Sequence, residues 1–238
     1  MIENSKIRMG VLGCANIAVR SMIPELYRHP DFELVGIASR SQEKATPLAE
    51  KYACQLMTYD QLVESPLIDA VYVPLPTGLH AEWVKKCLEA DKHVLCEKSL
   101  ACTFDDVKML VETAKAHHCF LMENFQFRFH SQNLFVKKML DEGQFGELRC
   151  IRVSFGFPPL PDRETNIRYK KALGGGALLD AGAYVIKATT FLLGHDVKVL
   201  GATSWTAPGF EVDLGGTIYL QNSQGVVSEA AYGFDNFY

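Results

Sequence analysis

No two of the seven cysteines, at positions 14, 54, 87, 96, 102, 119 and 150, form a C-x-x-C pair, and their number is odd. Neither a zinc site nor a disulfide framework is indicated, and the thiols are expected to be reduced and mostly buried. Basic residues are also scarce: 24 Lys and Arg against 28 Asp and Glu give a net charge of -4, with no cluster that would mark a nucleic-acid footprint. No apolar run approaches the ~20 residues that cross a bilayer, and Met1 to Lys6 is polar, without a signal-peptide core. Internal repeats and low-complexity tracts are missing too. These absences leave the expectation of a cytoplasmic protein that handles a small molecule, with neither nucleic acid nor membrane as partner.

What is present is a large apolar fraction, 48% of 238 residues, enough for a sizeable core. Strand-like and helix-like patterns alternate over the first ~124 residues. Strands are predicted at Ile7 to Leu12, Glu33 to Ala38, near Leu56 and Met57, at Ala70 to Val73, from Val94, and at Cys119 to Met122. Helices are predicted at Ile17 to Arg28, Gln42 to Tyr52, Leu79 to Ala90 and Asp105 to His117. Apolar strands alternating with helices predict an α/β Rossmann domain over 1–124, a doubly wound parallel sheet with both faces covered. After Glu123 the pattern changes. A helix at Gln132 to Glu142, another at Ala177 to Leu193, and strands at Leu148 to Phe155, Val197 to Thr206, Gly209 to Leu220 and Gly225 to Tyr232 predict an α+β domain over 125–238, with a mostly antiparallel sheet. Pro158 to Arg163 reads as an extended surface loop.

The turn Gly13-Cys14-Ala15-Asn16-Ile17-Ala18 lies between the first strand and the first helix. It matches the dinucleotide fingerprint G-x-G-x-x-A except at Ala15, where one methyl tightens the approach of a pyrophosphate to the helix N-terminus. The acid that would hold a ribose 2'-hydroxyl in an NAD site is missing after the second strand, which ends Ala38-Ser39-Arg40-Ser41. Ser39 and Arg40 suit a 2'-phosphate, so NADP(H) is preferred to NAD(H), unless Arg40 is only a solvated loop residue and Glu43 reaches the ribose. The fourth strand runs into Pro74-Leu75-Pro76-Thr77-Gly78-Leu79-His80, a loop expected to line the cofactor, with His80 either touching its nicotinamide half or simply opening a helix. The fifth strand ends in Glu97-Lys98-Ser99, two charges where ligands bind in open α/β sheets. In the second half, Gly174-Gly175-Gly176 precedes Asp180, Gly182 and Tyr184. Four residues apart, Asp180 and Tyr184 share a helix face, either as hydrogen-bonded core residues or as site residues, and Gly182 between them would leave room for a ligand.

Taken in order, the Gly13 to Ala18 turn, Leu75-Pro76 with His80, His93 to Lys98, Arg128-Phe129-His130 and Gly174 to Tyr184 resemble the Gfo/Idh/MocA oxidoreductases over nearly the whole chain. Within that family the first and last of these motifs look most like NADPH-dependent nucleotide-sugar 3-ketoreductases. The resemblance implies a catalytic Lys98 at the reacting carbon, with Ser99 in place of the family's proline, and Glu97 beside the cofactor. It also implies Tyr184 as the second catalytic group, Asp180 placing substrate or lysine, and Arg168 as a cofactor contact. The implied reaction moves a hydride between NADP(H) and a carbonyl or hydroxyl carbon of a sugar, with Tyr184 giving the proton and Lys98 polarising the carbonyl. Two alternatives stay open: a dehydrogenase of another polyol or dihydrodiol, and a non-catalytic NADP-binding fragment. Members of the family are longer, so the second sheet is expected to be incomplete at its C-terminal end, and homo-oligomerisation through it is a further implication.

Overall fold

The computed structural model describes residues 6–160 and 162–236. The chain divides into two compact units, Met1–Asn124 and Phe125–Tyr238. The first contains six strands: β1 (Ile7–Leu12), β2 (Phe32–Ala38), β3 (Gln55–Met57), β4 (Ala70–Val73), β5 (His93–Glu97) and β6 (Leu121–Asn124), ordered β3-β2-β1-β4-β5-β6. Every pairing in this sheet is parallel. Successive strand residues point to opposite faces, and both faces are apolar. Val71 and Val73 join Leu12, Ala38, Leu88 and Val94 in one cluster, while Tyr72 joins Met9, Val11, Ile23 and Ile37 in the other. The strand order reverses between β1 and β4, where an open α/β sheet forms its ligand crevice.

The helices of this unit are α1 (Ile23–Arg28), α2 (Gln42–Lys51), α3 (Tyr59–Glu64), α4 (His80–Glu89) and α5 (Phe104–Ala116). The periodicity predicts one helix from 17 to 28; the structure opens it with a π turn, Ala18–Met22, before α1. β6 begins two residues later than predicted and runs to Asn124, and the Val94 strand extends through Glu97, so that Glu97 is a sheet residue. α3 lies outside the pattern reading. Thr58 caps it, with Gln61 completing a reciprocal box at its first turn.

The second unit holds α6 (Ser131–Asp141), β7 (Cys150–Phe157), α7 (Ala183–Leu193), β8 (Val197–Trp205), β9 (Gly215–Asn222) and β10 (Val227–Phe234), with the sheet ordered β7-β10-β9-β8. β8–β9 and β9–β10 are antiparallel and β10 pairs with β7 in parallel, so the sheet is mixed, with most of its pairings antiparallel as expected. The strand predicted from Gly209 starts only at Gly215; the preceding residues form a loop whose Val212 and Leu214 are buried. The helix predicted from 177 to 193 likewise opens with a π turn, Leu178–Gly182, before α7. By length and composition Lys171–Leu193 is apolar enough to cross a membrane, which corrects the sequence reading. In this fold Gly174 and Gly176 break the stretch at positive φ, and Ala181, Val185 and Thr189 are buried in the unit's core, Thr189 on the Ser228 hydroxyl of β10. Within the Pro158 to Arg163 loop, Pro161 lies outside the described residues.

Candidate active site

The turn after β1 is built on Gly13, whose φ of +126° disfavours any L side chain. Its N–H donates to the Ala38 carbonyl at the end of β2 (2.8 Å), and a Cβ at this position would stand 2.9 Å from Leu75 Cδ2. Glycine is therefore what lets the loop after β4 close against the turn. Ala18 is fully buried, so the helix packs tightly on the sheet, while Asn16 and Ile17 are exposed beside half-buried Cys14 and Ala15. Backbone N–H groups at the start of such a turn and helix form an anion cradle. At the end of β2, Ser39 Oγ accepts from Ser41 N (3.1 Å), and exposed Arg40 is near enough to Tyr59, at the start of α3, to act on its phenol electrostatically. Tyr59 in turn packs edge-on against Trp83, with ring centroids 4.9 Å apart. Burial pushes the Tyr59 phenol up despite the opposing pull of Arg40. Arg40 thus presents an exposed guanidinium just past the strand end.

His80 opens α4 with no exposed surface. Its Nε2 lies 2.7 Å from the Leu75 carbonyl and its Nδ1 2.7 Å from the Ser99 carbonyl. Both ring nitrogens thereby face protein carbonyls, so of the two readings it is the helix opening that the structure shows, and His80 ties the β4 loop to the segment after Lys98. Burial holds its pKa below the ordinary value, against the carbonyl contacts and Glu97, while Lys98 lowers it further. Lys98 and Ser99 are half-buried and joined by a cis peptide. Just before them, Glu97 Oε1 accepts from Tyr72 Oη (2.6 Å) and from Asn124 Nδ2 (2.8 Å). Glu123 accepts the Leu100 N–H (2.9 Å), which fastens the far side of the same loop.

In the second unit the triple glycine is sterically required. A Cβ on Gly175 would approach the Arg168 carbonyl to 2.5 Å, and one on Gly176, at φ +119°, would meet Asp213 Oδ1 at 2.5 Å. Asp213 accepts the Leu178 N–H through Oδ2 (2.7 Å) and its carbonyl takes the Ala177 N–H (2.9 Å), capping the segment that carries Asp180 and Tyr184. Asp180 falls in the π turn, and its Oδ2 accepts from Arg168 Nε (2.6 Å). Arg168 is therefore tied to Asp180. Gly182 does not leave room for a ligand: it is buried, and a Cβ there would meet Leu178 Cδ1 at 3.0 Å and Tyr232 Cγ at 3.4 Å. The Tyr184 ring is held by Phe155, Phe125 and Phe127, with centroids at 4.8, 5.7 and 6.1 Å. Lys187 Nζ lies over the Phe125 ring at 5.6 Å.

The sequence reading missed Tyr59, Tyr72, Asn124, Asp213 and the aromatic walls of Tyr184. Thr58-x-x-Gln61 signalled the helix that positions Tyr59, but an isolated Tyr in an apolar strand carries no mark of its hydroxyl's partner. All seven cysteines are free, with Cys87 and Cys96 buried, Cys102 and Cys150 exposed and the rest between, so most are less buried than expected. Burial pushes the Cys54 thiol up to about 11 and that of Cys87 to about 12. Among the described residues no group of three or more His, Cys, Asp or Glu is placed to hold a metal ion.

Residues 7–125 match the model of an oxidoreductase family with an NAD-binding Rossmann fold, and residues 134–238 match the Gfo/Idh/MocA C-terminal domain. The chain is 46% identical over 233 residues to a dTDP-3,4-didehydro-2,6-dideoxy-alpha-D-glucose 3-reductase of Saccharopolyspora spinosa, covering 98% of this chain and 70% of the relative. It is 31% identical to a D-xylose 1-dehydrogenase (NADP(+)) of Haloferax volcanii, covering 95% and 69%. Its fold superposes with a TM-score of 0.93 on a 3-ketoreductase from Actinomadura kijaniata solved with NADP and TDP-benzene, at 41% identity, over 98% of this chain and 72% of that one.

Proposed function

The chain belongs to the Gfo/Idh/MocA oxidoreductase family, and we propose that it catalyses hydride transfer between NADP(H) and the C3 carbonyl of a nucleotide-linked keto-deoxysugar. The observation that carries the substrate class is the likeness, over 98% of the chain, to 3-reductases of dTDP-linked didehydro-dideoxyglucose. The cofactor reading rests on Ser39 and Arg40 where an NAD site would place an acid, and on the NADP bound by the Actinomadura kijaniata enzyme. The Gly13 turn fits a pyrophosphate, since its positive φ turns the chain from β1 directly into a helix start, whose first N–H groups suit an anion.

NADPH supplies the hydride when bound. In this reading Gly13, Ala15, Asn16 and Ile17 hold the pyrophosphate, Ser39 and Arg40 the 2'-phosphate, and Leu75 and Pro76 wall the nicotinamide side. Tyr184 donates a proton to the substrate oxygen as the ketone carbon is reduced, so that hydride and proton together convert carbonyl to hydroxyl. Lys98 donates a hydrogen bond to the same oxygen and stabilises its developing negative charge. The three phenylalanine rings fix the Tyr184 ring, and Arg168 fixes the Asp180 carboxylate, so neither has to be reordered during the step. Asp180 aligns the substrate hydroxyls. A cytoplasmic setting, where thiols stay reduced, suits seven free cysteines. Self-association through the second sheet is supported by half-exposed Trp205 and Tyr219, and sedimentation at two concentrations tests it.

The test is NADPH oxidation with a TDP-linked 3-keto-deoxysugar. Tyr184→Phe and Lys98→Met each lower kcat by about 10²-fold or more, the scale of a lost general acid or charge-stabilising donor. Turnover unchanged in both variants contradicts the assignment of this site.

A further inference from the structure

Glu97 is held in an unusual way for a carboxylate at a strand end. Tyr72 on β4 is in register with Leu95 on β5, and Glu97 on β5 with Asn124 on β6. Glu97 lies two residues beyond Leu95 and so on the same sheet face, about 6.6 Å further along the strand at ~3.3 Å per residue. The Tyr72 phenol is long enough to cover that diagonal, and its Oη reaches Glu97 Oε1 at 2.6 Å. Asn124 comes from the other side and donates Nδ2–H to the same oxygen at 2.8 Å. Tyr72 is fully buried and Asn124 is 6% exposed, so both donors are fixed by packing. Burial first, and then the Glu97 carboxylate, push the Tyr72 phenol far above its ordinary range, so it is a donor at every working pH. Both bonds end on Oε1; among the described residues Oε2 accepts no hydrogen bond.

We propose that Tyr72 and Asn124 are positioning residues that lock Glu97 by one oxygen, leaving Oε2 as a fixed acceptor for the carboxamide N–H of the nicotinamide. This rests on the NADP(H) reading above. An ordinary surface carboxylate swings between rotamers and pays that freedom on binding; this one is anchored before a ligand arrives. The ligand chemistry follows from the acceptor. A carboxylate oxygen with no hydrogen of its own, at the carboxyl end of a central parallel strand, recognises an N–H donor, and the nicotinamide carboxamide carries one on its reactive ring. Neither Tyr72 nor Asn124 needs to touch the cofactor. Their effect passes through Glu97.

The experiment measures the Kd of the full chain for NADPH and for its 3-acetylpyridine analogue, in which the carboxamide NH2 is a methyl group. The wild type is expected to prefer NADPH by about tenfold, the scale of one hydrogen bond to a charged acceptor. Tyr72→Phe keeps the ring and removes only the hydroxyl; it is expected to weaken NADPH binding about threefold to tenfold and to leave the analogue within about twofold, so the preference collapses. Glu97→Gln, which keeps acceptors for Tyr72 and Asn124 on one atom and sets an NH2 group at the other, is expected to abolish the preference as well. A merely structural role for the triad would weaken both nucleotides equally, and that result overturns the proposal, as does a wild type that does not discriminate. A wild type that binds neither nucleotide contradicts the cofactor reading itself, which keeps the two failures apart.

Discussion

Arg40 carries the choice between the two nicotinamide cofactors, and its setting makes the choice measurable. It is exposed and follows the last buried residue of β2, Ala38, by two positions. A charged hydrogen bond from a guanidinium to a phosphate contributes about 1.5–3 kcal/mol. Arg40→Ala is therefore expected to raise the Kd of NADPH by about 10- to 100-fold with little change for NADH, as titration of intrinsic fluorescence would register; tighter binding of NADH by the wild type contradicts the assignment. His80 makes a second prediction at the same scale. Its folded pKa is lowered by burial, so between its ordinary value near 6.5 and the lower folded value the unfolded chain binds more protons. The stability contribution is present above about pH 6.5 and is lost as pH falls. His80→Gln is expected to flatten the decline of Tm between about pH 6.5 and 5 relative to wild type, and parallel Tm profiles would contradict this. At this scale the candidate site was half legible. Gly13, Arg40, Glu97, Lys98, Asp180 and Tyr184 announce themselves because their chemistry interrupts an apolar or helical pattern. Tyr72, Asn124 and Asp213 do not, because their partners come from other strands or from 35 residues away, and pairing across a sheet leaves no local mark.

Elements whose hydrophobic period was unbroken were read with small end shifts. β1 and β4 stand where the apolar runs put them, and α2, α4 and α5 fall within one residue at each end. Departures cluster where local geometry serves neighbouring groups. The first helix and the one before α7 both open with a π turn, which a 3.6-residue period cannot register, and such turns often mark functional segments. The strand expected from Gly209 starts late because Asp213 leaves the sheet direction to cap the Leu178 segment. That cap makes its own prediction. Asp213→Ala removes the acceptor and should cost about 0.5–2 kcal/mol of stability, whereas Asp213→Asn keeps one and should lose less. Urea unfolding midpoints decide, and equal loss in both variants would show that the carboxylate charge rather than the cap is at work. Burial holds the Asp213 pKa above its ordinary value, so the charge itself brings little benefit.

Across the whole molecule, the doubly wound parallel sheet of the first unit was the inference that sequence supported best. Six apolar strands separated by helices allow few right-handed parallel arrangements, and the observed order reverses at β1 and β4, where the Gly13 and Leu75 loops emerge together. The second unit was less legible: its alternating strands signal one-sided burial but not direction, and the parallel β7–β10 pair is set by a connection through α7 and β8–β9 that pattern alone does not order. Family membership makes the chain an oxidoreductase that acts on sugar hydroxyl or keto groups. The reaction itself can be followed atom by atom. When the chain is incubated with NADPH carrying two deuteriums at C4 and a TDP-linked 3-keto-deoxysugar, the account predicts one deuterium at C3 of the product, read by mass spectrometry and NMR with the wild type, and about 10²-fold slower labelling with Tyr184→Phe and Lys98→Met. Product without deuterium, or label transferred equally well by both variants, would contradict it.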